Sequence, residues 1–61
     1  MKLIDLQCLM DGDVSLIVQK HDAYTISTME IILVKQLDNS KFKDEEIDLI
    51  HPSNNSLIVR V

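Results

Sequence analysis

The stretch "ISTMEIILVKQL", residues 26–37, constrains the fold of this chain more than any other, because it supports two incompatible readings. Ile31, Ile32, Leu33 and Val34 are four consecutive branched aliphatics, which suits a strand buried on both faces. Against this, Ser27 stands three residues before Glu30, the spelling of a capping box. In that motif the serine oxygen accepts from the N3 amide and the glutamate reaches back to the serine amide. On a helical projection Met29, Ile32, Leu33 and Leu37 share one face, and Asp38, Asn39 and Ser40 supply a stop. The spacing predicts a helix over residues 28–38, apolar nearly all round, with Ile31 and Val34 turned to a second face that needs cover.

The flanking segments read as hairpins. "VSLIVQK", residues 14–20, alternates Val14, Leu16 and Val18 with Ser15, Ile17 and Gln19, and His21, Asp22 and Ala23 connect it to "YTIS". Near the other end "EEIDLIH" alternates Ile47 and Leu49 with Glu46, Asp48 and Ile50, and Pro52, Ser53, Asn54 and Asn55 turn the chain into "SLIVRV". The first ten residues fit either state. Leu3, Leu6 and Met10 share a helical face, while Ile4, Leu6, Cys8 and Met10 alternate, and Asp11 with Gly12 suits a tight turn. A helix over residues 2–10 makes two similar halves. The expected fold is therefore α+β, one domain over residues 1–61: a four-stranded, mostly antiparallel sheet with one or two helices on one face, in αββαββ order.

Size limits what such a chain hides by itself, since a 61-residue domain buries only about 60% of its unfolded surface. Small domains usually gain support from disulfides, a metal or a partner. Cys8 is the single cysteine, and His21 and His51 have no second ligand nearby in sequence, so association with another chain is the expected support. The formal charge of −4 opposes a phosphate-binding surface, and Tyr24 and Phe42 make no stacking platform, so direct nucleic-acid binding is not expected. No apolar run reaches the roughly 20 residues of a membrane span, and the opening residues do not spell a signal peptide. A lone cysteine suits a reducing compartment, which makes the cytoplasm the expected location.

Catalytic candidates are few. Cys8 lies among Leu6, Leu9 and Met10, where a cysteine behaves as a small buried hydrophobe. His21 beside Asp22 reads as a solvated turn residue, and His51 before Pro52 as a strand-end residue. Gly12 is the only glycine, so no phosphate-cradling loop exists. Neither an enzyme nor a bound cofactor is expected. The carboxylates Asp44, Glu45, Glu46 and Asp48, with Lys41 and Lys43 beside them, read as a solvated acidic edge that discourages strand pairing, or as a row imitating phosphates. With Val14, Leu16, Val18, Ile47, Leu49, Leu57, Val59 and Val61 toward the helices, Ile17, Ile50 and Ile58 line the opposite sheet face. Clustered aliphatics on so small a chain mark an interface, and Ile31 and Val34 offer a second surface.

The segments "KLIDLQCLMDGDVSLIV", "TMEIILVKQL" and "FKDEEIDLIHPSNNSLIVRV", with the hydrophobic spacing of Ile47, Ile50, Leu57, Val59 and Val61 in the closing hairpin, resemble small accessory proteins of phages and prophages of Gram-positive bacteria. The resemblance spans nearly the whole chain, and Met29 to Val34 are more aliphatic than the Leu, Glu and Lys mixture of that family's second helix. Most proteins of that kind have no assigned role, and the resemblance implies inhibition of host defence, including CRISPR nucleases, as the role some of them play. The partners expected on this reading are a host protein and a second copy in a homodimer. A nucleic-acid-associated regulator and a structural subunit of a phage assembly are the other roles it leaves open.

Overall fold

The computed structural model describes residues 1–61 and settles the opening ambiguity in favour of the strand. A 3-10 turn, Leu3–Asp5, runs into one α-helical turn, α1 (Leu6–Leu9). Then come β1 (Ser15–His21), β2 (Ile26–Leu33), a 3-10 helix (Val34–Asn39), β3 (Leu49–Ser53) and β4 (Ser56–Arg60). The α+β class and the alternation of one helical segment with one hairpin, twice over, are as the sequence reading has them. The strands form one sheet in the order β2-β1-β4-β3. Both outer pairs are antiparallel hairpins, and the central β1–β4 pair is parallel, so the sheet is mixed.

The expected helix over residues 28–38 is replaced by the second half of β2 and the 3-10 helix behind it. Glu30 does not cap Ser27; its carboxylate accepts from the Ser40 hydroxyl. Pairing across the hairpin matches Leu16 to Ile32, Ile17 to Ile31 and Val18 to Glu30, which a helix would forfeit. The helical spacing of Met29, Ile32, Leu33 and Leu37 arises because this strand carries aliphatic groups on both faces. Leu37 of that expected stripe is buried, Ile32 is half-buried against the core, and Met29 is exposed.

One core closes the fold. Leu16 and Val18 of β1 and Val59 of β4 meet Leu3, Leu6, Val34 and Leu37 from the helical segments, so both helical pieces lie on one sheet face. The N-terminal turn is tied down by main-chain bonds: the Leu3 and Ile4 amides donate to the Glu45 and Lys43 carbonyls at 2.9 Å each, and the Ile47 amide donates to the Met1 carbonyl at 2.8 Å. The true reach-back cap is here, where the Asp5 carboxylate accepts from the Lys2 amide at 2.9 Å. Opposite it, the 3-10 helix is anchored through Lys35, whose amide donates to the Gly12 carbonyl at 3.1 Å and whose carbonyl accepts from Gln7 Nε2 at 3.1 Å.

The second hairpin turns on two residues, Asn54 and Asn55, with Ser53 paired to Ser56. Asn54 takes φ of 49°, a left-handed conformation that asparagine tolerates better than most side chains. Pro52 and Ser53 thus belong to β3 and not to the turn.

Candidate interaction surface

Side chains alternate between the faces of a sheet, so register decides which residues share a surface. Leu16, Val18 and Val59 point to the helices, which sends their neighbours Ile17 and Ile58 to the other face, where no element of the chain lies over them. Ile17 pairs with Ile31 on one side and Ile58 on the other, and Ile58 pairs with His51. The outer face therefore carries a transverse row across all four strands: Ile31, Ile17, Ile58, His51. Above it run Leu33, Ser15, Ser56 and Ser53, and below it Thr28, Gln19, Arg60 and Leu49.

This arrangement joins two surfaces that the sequence reading kept apart. Ile31, 67% exposed, is placed beside Ile17 by the strand and not on the flank of a helix. Val34 leaves the candidate surface: it is fully buried between the sheet and α1's layer, as the first residue of the 3-10 helix. Ile50 is also displaced. The two-residue turn pairs it with Val59, so it shares the helix-bearing face and not the face of Ile17 and Ile58, while Leu49 pairs with Arg60 and falls on the outer side. Ile26, Leu33 and Leu49 are the apolar members of this face that periodicity missed, and only the register reveals them.

The outer face is short of charge. None of the ten acidic residues of the chain lies on it within the strands, and Glu30, the one acid in β2, is turned to Ser40 on the opposite side. Arg60 is its only formal charge, and Arg60 Nε is buried without a hydrogen-bond partner.

The carboxylate run does not form a free sheet edge. Asp44 to Asp48 precede β3 and lie along the N-terminal segment, where the main chains of Lys2 and Glu46 pair in a single antiparallel bridge. Glu46 accepts from the N-terminal ammonium at 2.9 Å and Glu45 pairs with Lys20 Nζ at 3.3 Å, with that ammonium 5.9 Å from the centre of the Phe42 ring. Two of the four acids are thus partly neutralised, which breaks a phosphate-like row.

The remaining chemistry candidates lie apart. Cys8 is exposed on α1, against the expectation that it is buried. His21 ends β1 and His51 sits in the middle of β3, with β4 between the two strands. Asp22 accepts from the Ala23 amide at 2.8 Å, so its carboxylate shapes the turn. No group of three His, Cys, Asp or Glu side chains is placed to share a metal ion, and no helix is long and apolar enough to cross a membrane. No protein-family model, curated protein or solved structure matches the chain. The geometry of the uncovered sheet face is therefore what bears on function.

Proposed function

We propose that this chain is a small, non-enzymatic binding protein that docks on another protein through the outer face of its sheet. The observation that carries the reading is the row Ile31, Ile17, Ile58, flanked by Leu33 and Leu49, on a face free of carboxylates. Contiguous apolar surface on a small domain is expensive to leave in water, and such patches mark contact sites. The partner surface that fits is apolar, with an acceptor opposite Arg60, either a main-chain carbonyl or a carboxylate. The acids on the rest of the molecule then set orientation and encounter rate. Following the resemblance of the sequence to phage accessory proteins, we assign the partner to the host and the role to inhibition of a defence factor such as a CRISPR nuclease, acting in the cytoplasm.

The test is affinity capture from the host followed by titration of the identified protein with purified wild type and with Ile17→Ser/Ile58→Ser. Loss of roughly tenfold or more in affinity, at least about 1.4 kcal/mol, is expected for the variant. A folded variant that binds the same protein with unchanged affinity overturns the reading.

A further inference from the structure

The two edges of the sheet are unlike. β3 is five residues long and carries Pro52, which has no N–H to offer a neighbour. β2 is eight residues long, contains no proline and no lysine, and holds three of the large apolar residues most open to solvent, Ile26, Met29 and Ile31. An edge of this sort is a template for another strand.

The backbone groups that face away from β1 can be read from the ladder. The Val34 amide donates to the Val14 carbonyl, and hydrogen-bonded and open pairs alternate along an antiparallel hairpin, so Leu33 and Ile31 turn their N–H and C=O groups outward. At the other end the Asp22 amide donates to the Thr25 carbonyl, which by the same alternation leaves Ile26 and Thr28 turned outward. The register shifts between Val18 and Gln19, with Met29 the extra residue. The outward positions are therefore 26, 28, 31 and 33, spaced by two, three and two. That sequence of intervals reads the same in both directions.

We propose that the occupant of this edge is the β2 edge of a second copy of the chain, running antiparallel, with Ile26 opposite Leu33 and Thr28 opposite Ile31 about a two-fold axis between Met29 and Glu30. A regular strand cannot match the two-three-two spacing, so the bulge that ordinarily blunts an edge here selects its own kind. The side chains of Ile26, Thr28, Ile31 and Leu33 project on the outer face, so the pairing gathers six aliphatic side chains along the seam. Glu30 is held on the other side by Ser40. The axis stands perpendicular to the sheet, so both outer faces look the same way and the two isoleucine rows become one band across eight strands. The pairing rests on the strand edge; its use as a joint docking surface rests on the function proposed above.

Sedimentation and light scattering of the full chain test it. The expected mass at NMR-sample concentration is twice 7.0 kDa, falling to one chain in Ile31→Pro and Ile31→Lys with strand content retained. Should the proline variant fail to fold, the lysine variant and the wild type decide. In the wild type the amides of Ile26, Thr28, Ile31 and Leu33 exchange slowly when concentrated and fast on dilution. A wild type that stays a single chain throughout, or a folded lysine variant that stays double, overturns the pairing. Ile17→Ser separates the two proposals, because it leaves the doubled mass intact while target capture is lost. A monomeric wild type that still captures its target sinks the pairing alone, and a dimer indifferent to Ile17→Ser in capture sinks the docking face alone.

Discussion

Leu16 and Ile17 are neighbours in β1 with opposite fates, and replacing each by alanine measures the two faces of the sheet separately. Leu16 is fully buried among the helical segments, while Ile17 pairs with Ile31 and Ile58 on the uncovered side. For Leu16→Ala the lost transfer energy and the cavity together cost about 2–5 kcal/mol. A 61-residue domain at about 0.05–0.15 kcal/mol per residue holds only about 3–9 kcal/mol in total. That change consumes a large fraction of the stability, and at about 4–8 °C per kcal/mol the melting temperature drops by about 8 °C or more. Ile17→Ala removes three carbons from a side chain that the flanking strands partly bury, which at about 0.8 kcal/mol per fully buried methylene comes to about 1.5–2 kcal/mol, less than the loss at Leu16 because no cavity is left. Urea unfolding followed by far-ultraviolet circular dichroism, with both variants at the same low micromolar concentration, gives the comparison. Equal losses for the two, or a loss below about 1 kcal/mol for Leu16→Ala, refute the assignment of faces.

Gly12→Ala places a Cβ 2.9 Å from the Lys35 Cβ, and Lys35 is pinned through both its amide and its carbonyl, so a loss of about 1–3 kcal/mol is expected in the same unfolding assay. Asn54→Val forces a β-branched side chain into the left-handed region and costs about 1–2 kcal/mol, whereas Asn54→Gly stays within about 0.5 kcal/mol of wild type.

The hairpins were legible because their signals are local. Alternation in residues 14–20 and the polar cluster at Pro52 to Asn55 each lie within one turn and its arms. Residues 28–34 mislead a local reading because what makes them a strand is distant in sequence: Ile31 and Ile32 are held by Ile17 and Leu16 across a hairpin. A strand apolar on both faces satisfies helical spacing by accident, and the capping-box spelling reinforced the accident. Val34 changed roles with the element, since as the first residue of a 3-10 helix it points into the core and not to an outer face. Ile50 falls on the wrong face in a reading by alternation because Ile47 and Leu49 together set the phase of residues 46–50. Ile47 packs on the core from ahead of β3, and inside the strand the pairing of Ile50 with Val59 turns Ile50 inward and Leu49 outward. The apolar neighbours of Cys8 suggest burial, yet a helix of one turn gives it no second layer to lie under.

The same physics explains why the binding face was half visible. Ile17 and Ile58 sit on segments whose alternation is clean, so their side of the sheet followed from pattern alone. Their joining to Ile31, and the recruitment of Leu33 and Leu49, depend on which strands lie side by side. The parallel contact between β1 and β4, remote in sequence, decides that.

Docking through the outer face requires that the aliphatic row lie open on the free protein. Methyl-labelled NMR with a soluble paramagnetic probe reads this directly, on dilute protein without any partner. The Ile17, Ile31 and Ile58 methyl signals are expected to broaden while those of Leu16, Val18 and Val59 stay sharp. Isoleucine methyls shielded as well as those of the core would contradict it.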